Sequence, residues 1–226
     1  MKIFAVMPAY NEKGRIGGVV RRLLPLVDRV IVVDDGSSDG SAEEAKAAGA
    51  DVVAHVLNRG QGAALRTGTD LAVAEGADVV VHVDADGQHD PGAIPALLAP
   101  IRSGSADVVF GSRFLGVSAA GMPFGRRLLL AAAREFSCLV LGIPRSVTDP
   151  QSGLRAMTAE AAERVSFTQD RMAHCSEILR IVHRSGLRSV EVPVRVIYTA
   201  DTLAKGQKAA DAFKIVWQLL LGAFQR

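Results

Sequence analysis

Val79-Val80-Val81-His82-Val83-Asp84-Ala85-Asp86-Gly87-Gln88 sets an apolar, β-branched run directly against two carboxylates one residue apart. A short run of that composition reads as a strand buried on both faces and ended by a polar turn. Working outward, residues 3–7, 30–33, 52–56 and 108–110 repeat the pattern. Between these strands, residues 13–24, 41–48, 62–75 and 91–101 carry helical periods, with Asp39 or Ser41 and Asp90 as N-caps. Strand and helix alternating in this way predict right-handed crossovers. The fold class is therefore α/β, a single Rossmann-like domain with a mostly parallel central sheet and helices on both faces.

In such sheets ligands lie beyond the carboxyl ends of the strands, where the strand order switches. That rule collects four polar loops on one rim: Pro8-Ala9-Tyr10-Asn11-Glu12, Asp34-Asp35-Gly36-Ser37-Ser38-Asp39, Asn58-Arg59-Gly60-Gln61-Gly62, and Asp84-Ala85-Asp86. The second half is less regular. Residues 125–141 read as a helix, 148–153 as a loop by its proline and glycine, 175–185 as a helix, 189–197 as a strand and 209–224 as a closing helix.

Composition narrows the function classes. At 226 residues and 49% hydrophobic, the chain can bury a sizeable core. A net charge of +2 and 5% aromatic residues argue against a nucleic-acid partner, since neither a concentrated basic face nor a stacking platform is present. Cys138 and Cys175 are far apart and form no C-x-x-C pair, so they read as reduced thiols. The start at Met1 reads as a first strand rather than a signal segment. No apolar stretch approaches the roughly 18 to 20 residues that span a bilayer. The expected location is the cytoplasm, or the inner face of the cell membrane bound peripherally.

Asp84 and Asp86 fall on one side of an extended segment, and Gln88 continues that side if the chain stays extended. Three such oxygens suit Mg²⁺ or Mn²⁺, which takes carboxylates together with diphosphate oxygens; an acidic solvated turn is the plainer account. An acid ending the second strand, Asp34 or Asp35, suits hydrogen bonds from a ribose or base, and capping by Ser37, Asp39 or Ser41 is compatible with it. Only two of the three dinucleotide-fingerprint glycines stand at 58–65, with Leu65 in the third place, and no phosphate-loop motif exists. Nicotinamide, flavin and nucleotide-hydrolysing classes drop out.

Taken in order, Pro8-Ala9-Tyr10-Asn11-Glu12, Asp34 to Asp39, Asn58 to Gly62, Arg66 and Asp84-Ala85-Asp86-Gly87-Gln88 resemble family 2 glycosyltransferases of the GT-A fold. Gly111-Ser112-Arg113 and Asp149-Pro150-Gln151-Ser152-Gly153-Leu154-Arg155 resemble the branch with dolichyl-phosphate mannose synthase and polyprenyl-phosphate glycosyltransferases. The resemblance implies inverting, metal-dependent transfer of a hexose from GDP-mannose or UDP-glucose to a polyprenyl phosphate. It implies that Pro8, Tyr10, Glu12, Asp35, Arg66 and Asp84 hold the nucleotide, that Asp84, Asp86 and Gln88 hold the metal, and that Asp86, Arg113 and Asp149 serve the chemistry. Residues 1–115 would form the nucleotide-sugar half and 116–226 the acceptor half of one domain.

A leaving diphosphate gathers negative charge, which guanidinium groups stabilise, and Arg113, Arg126 and Arg127 are candidates. A hydroxyl acceptor needs a base, for which Asp149, His174 and Glu177 stand equal; a lipid phosphate, already anionic, needs only to be aimed. Arg155 could meet an acceptor phosphate or pair with an acid. Two basic-flanked apolar stretches, 126–141 and 205–221, fit a membrane interface or a core equally. Residues 199–206 resemble, loosely, a segment closing over the donor, with Lys205 toward phosphate. A soluble-hydroxyl acceptor, a sugar nucleotidyltransferase and a silent nucleotide-sugar binding module are the alternatives.

Overall fold

The computed structural model describes residues 1–116, 124–171 and 173–197. Their sheet has seven strands: β1 (Ile3–Ala9), β2 (Arg29–Asp34), β3 (Asp51–Ala54), β4 (Val79–His82), β5 (Val108–Ser112), β6 (Arg155–Thr158) and β7 (Ser189–Pro193). They stand in the order β3-β2-β1-β4-β6-β5-β7. The first four run parallel, and β5 and β7 run parallel to each other. Between these two blocks β6 lies antiparallel to both β4 and β5.

Helices α1 (Ile16–Leu23), α2 (Ser41–Ala47), α3 (Gln61–Ala74), α4 (Ile94–Arg102), α5 (Phe124–Leu141), α6 (Ala159–Arg164) and α7 (His174–Arg184) complete the described elements. The two-residue period of β1 divides the core. Ile3, Ala5 and Met7 pack with Ile16, Val20 and Leu23 of α1 and Leu97 of α4, whereas Phe4 and Val6 face Leu65 of α3 and Ile178 of α7. Each buried leucine or isoleucine contributes about 1.5–3 kcal/mol, so both layers hold the sheet. Gly68 lets α3 lie against β1, because a Cβ there would strike Val6 and come within 3.0 Å of Val33 Cγ2.

Several expectations change. The third strand ends at Ala54, and Val56 is 96% exposed; with its pattern of exposed and half-buried positions β3 is an edge, not a strand buried on both faces. The stretch 91–101 divides into a single 3-10 turn, Pro91–Ala93, and α4. Asp90 caps it through Gly92 N at 3.0 Å, as expected, but the N-cap of α2 is Gly40, at φ 89°, with no side-chain cap. The last strand stops at Pro193, short of residue 197. Both β6 and α6 were unforeseen. The expected helix at 209–224, the segment 199–206 and Lys205 lie outside the described residues, as does the side chain of Arg126. No helix among the described residues is long and apolar enough to cross a membrane.

Candidate active site

The carboxyl ends of β1, β2 and β4 bring three of the polar loops together, and antiparallel β6 adds the 149–153 loop beside them. The loop after β1 is stitched to the loop after β2 by its own amides. Asn11 N donates to Ser37 Oγ at 2.9 Å, Glu12 N to Ser41 Oγ at 2.8 Å and Lys13 N to Asp39 Oδ2 at 3.0 Å. Asn11 takes φ 54° to make that turn, and its Oδ1 accepts from Ser38 N. Tyr10 stands at this rim half exposed, Glu12 pairs with Arg15 at 3.1 Å, and Pro8 is buried inside β1 opposite Val33.

Asp35 is buried and its carboxylate is held on three sides. His55 Nδ1 lies 2.7 Å from Oδ1, Arg59 N donates to Oδ1 at 2.9 Å and Gly60 N donates to Oδ2 at 2.6 Å. The other ring nitrogen of His55 lies 3.0 Å from Thr67 Oγ1. Asp35 thus fastens the 58–60 loop to the rim. Asp34 is equally buried, accepts from Ser37 N through Oδ2, and keeps Oδ1 without a partner.

The glycines of the 58–62 motif lie against a neighbouring loop. Gly62 N and Ala63 N donate to Asp170 O at 2.8 and 3.2 Å, so this carbonyl caps α3. A Cβ at Gly60 or Gly62 would strike the backbone of residues 169–170. Arg66, expected at the nucleotide, reaches the same loop, with Nη1 3.1 Å from Phe167 O and Nη2 2.8 Å from Asp170 Oδ1. Glu177 holds it from below, accepting from Thr168 N, Thr168 Oγ1 and Gln169 N.

Asp84 and Asp86 stand at the end of β4. Gln61 Nε2 donates to Asp84 Oδ1 at 2.7 Å, and His89 Nε2 lies 3.3 Å from Oδ2. Burial alone would push Asp84 up, but His89 and the charges of Arg155 and His174 hold it below the ordinary carboxylate value. Asp86 goes the other way, to about 6, because burial and the neighbouring Asp84 charge both oppose its ionisation. After Asp84 the chain turns rather than continuing extended: Gly87 takes φ 74° and Gln88 N donates to Asp86 Oδ1 at 2.9 Å. The extended face expected for Gln88 is therefore absent, and its backbone is what meets Asp86.

This donor set fits a hard divalent cation. Two adjacent carboxylates, one of them resisting ionisation because it is buried beside the other's charge, match an ion that takes its remaining oxygens from diphosphate and water. Among the described residues no cluster of three or more His, Cys, Asp and Glu forms an all-protein cage.

Arg113 and Asp149 form a buried pair, Nε to Oδ2 at 2.6 Å, with Arg113 Nη2 also donating to Gln151 O at 3.2 Å. Asp149 Oδ1 has no hydrogen-bond partner. Glu191 of β7 fixes this loop by accepting from Thr148 N and Asp149 N at 2.8 and 2.9 Å. Arg127 is exposed on α5. His174 and Arg155 are buried behind Asp84 rather than on the open rim. His89, His55 and Glu191 also contact these groups and were not singled out by pattern, although His89 stands next to the acidic turn; Gln61 and Gly153 stood inside the 58–62 and 149–155 motifs without a role of their own.

The family model described as glycosyl transferase family 2 matches residues 4–121. The UDP-N-acetylglucosamine–dolichyl-phosphate N-acetylglucosaminyltransferase of Methanococcus voltae is 35% identical over 97% of this chain and 95% of its own. The polyprenol monophosphomannose synthase of Mycolicibacterium smegmatis is 34% identical over 85% of this chain and 76% of its own. Among solved structures, glucosyl-3-phosphoglycerate synthase from Mycobacterium tuberculosis in complex with Mn²⁺, UDP-glucose and phosphoglyceric acid superposes with a TM-score of 0.76 at 23% identity, covering 97% of this chain and 77% of that one.

Proposed function

The chain belongs to glycosyl transferase family 2, and from that premise we propose that this glycosyltransferase moves a hexose from a nucleotide diphosphate sugar to a polyprenyl phosphate with inversion. The observation that carries the reading is the Asp84–Asp86 pair at the end of β4, one carboxylate held below the ordinary value and the other pushed up to about 6 by burial and by the charge of its neighbour. Mn²⁺ or Mg²⁺ at Asp84 and Asp86 would neutralise charge on the departing diphosphate. The relatives named for polyprenyl and dolichyl phosphates support the acceptor class, and the manganese complex of the structural neighbour supports the ion.

The chain's own residues divide the remaining work. Tyr10, half exposed at the rim, would present a ring to a nucleobase, and Asp34 Oδ1, at the end of β2, is a buried acceptor without a partner. Asp35 and Glu12 shape that pocket. Residues 1–115 form the donor half and 116–226 the acceptor half. A lipid phosphate is anionic at neutral pH and attacks without losing a proton, so the acceptor half has only to orient it.

Incubation with Mn²⁺, labelled GDP-mannose or UDP-glucose and polyprenyl phosphate tests the proposal, with label expected in the organic phase. Failure of every donor to transfer would refute it. Asp149 favours a second reading, since its buried Oδ1 lacks a hydrogen-bond partner and would be available to take a proton from an acceptor hydroxyl. Transfer to a soluble sugar or phosphoglycerate in place of the lipid would establish that reading instead.

A further inference from the structure

Behind the sheet end that carries Asp84, three side chains from two elements meet without an obvious structural need. Cys175, at the start of α7, lies with Sγ 3.4 Å from His174 Nε2 and 3.5 Å from Arg155 Nη2. All three residues are buried. His174 Nδ1 lies 2.9 Å from Arg171 O, and since a carbonyl can only accept, Nδ1 carries the hydrogen and leaves the Nε2 lone pair facing the thiol. A thiol beside such an imidazole can pass its proton across, giving a thiolate and an imidazolium.

Arg155 supplies the independent sign of an anion. It is 1% exposed, it has no carboxylate partner among the described residues, and its Nε donor has no hydrogen-bond partner of any kind. A buried guanidinium left in that state is costly unless negative groups face it; the Asp84 carboxylate is near enough to feel its charge but forms no ion pair with it among the described residues. The sulfur is the group its Nη2 faces. Burial alone would push the Cys175 thiol up, but the charges of His174 and Arg155, together with the hydrogen bond to His174, bring it down to about 7 against the opposing charge of Asp84.

We propose that Cys175 is a reactive thiolate, a modification site for small uncharged oxidants of the hydroperoxide class, activated by His174 and receiving its product oxygen at Arg155. The thiolate sulfur attacks one peroxide oxygen and the O–O bond breaks. The departing hydroxide, or the alkoxide of an organic hydroperoxide, takes the proton held on His174 and leaves as water or alcohol. Sulfur is oxidised by two electrons to a sulfenic acid while the peroxide is reduced by two. The new oxygen is an acceptor of the kind the free Nε of Arg155 lacks. This assignment stands apart from glycosyl transfer, and its test requires no turnover.

Cys138 makes the comparison internal, because it is the more exposed of the two thiols. The folded full-length chain is treated at pH 7 with limiting iodoacetamide, and separately with hydrogen peroxide followed by dimedone, and each cysteine is followed by peptide mass spectrometry. Cys175 is expected to react about tenfold faster than Cys138 despite its burial, and to carry the dimedone adduct. His174→Asn is expected to slow Cys175 about tenfold and leave Cys138 unchanged; should that variant not fold, the ranking of the two thiols in the unaltered chain decides by itself. Faster reaction at Cys138, or protection of Cys175 until the protein unfolds, overturns the proposal.

Discussion

Gly153 faces the Asp84 carboxylate so closely that a Cβ built on it would strike Oδ2 and stand 2.9 Å from Cγ. The two residues come from strand ends far apart in sequence, brought side by side by the antiparallel pairing of β4 and β6. The space beside Asp84 is thus reserved by a missing methyl group.

Gly153→Ala should therefore turn Asp84 away from Gln61 and His89. The expected result is about a tenfold loss or more in Mn²⁺ and nucleotide affinity by calorimetry, which corresponds to about 1.4 kcal/mol. The fold, followed by circular dichroism, should survive.

Cation binding should depend on pH through Asp86. Ligands must be deprotonated, and this carboxyl titrates at about 6 before any cation is bound. Below pH 6 the Mn²⁺ affinity should fall by about tenfold per unit, and binding should release a proton. Asp86→Asn should abolish both the affinity and the proton release.

The same group shapes stability of the metal-free protein. Its folded value stands above the ordinary 3.8, so the folded state binds the proton more tightly. The resulting stabilisation is fully present below about pH 4 and is lost as pH rises through about 6. Melting temperatures compared across that window should show a downward contribution in the native chain that Asp86→Asn removes.

Removing Arg113 from the Arg113–Asp149 pair strands the carboxylate. Arg113→Ala leaves a buried carboxylate without its counter-charge and should cost about 3–5 kcal/mol in urea unfolding. Asp149→Asn separates the two acceptor chemistries. Transfer to a hydroxyl should drop by about 10²–10⁴, whereas transfer to a lipid phosphate should lose only what the disturbed Arg113 contact costs.

Gly62→Ala would place a methyl on the backbone of Gln169 at the start of α3. Neither backbone can yield without breaking the bonds from Gly62 and Ala63 to Asp170, and a destabilisation of about 3 kcal/mol is expected.

Three strands of the parallel block, β1, β2 and β4, were legible because they are buried on both faces and read as continuous apolar runs; β3 was placed by its valines but proved to be an edge. The strand β6 was not: Arg155-Ala156-Met157-Thr158 is four residues long, opens with an arginine, and gains its place only from contacts with β4 and β5. Asp84 and Asp86 could be picked out by position, but the turn at Gly87 that redirects Gln88 could not, since period-two reasoning assumes an extended chain. The partners of Arg66 and Arg113 likewise escaped the sequence, because each belongs to a loop remote along the chain. Charge marks a residue as interesting without saying whether a ligand or the protein itself will claim it.

The insertion of β6 between β4 and β5 also dictates an order of assembly. As the nascent chain leaves the ribosome, β5 emerges before β6 and β7, its two neighbours. Until they arrive, β4 presents an unpaired edge, the surface that invites another chain to add a strand. Synthesis must run past Thr158 before that edge is sealed, so premature truncation ahead of this point would yield an aggregating fragment rather than an isolated donor-binding lobe.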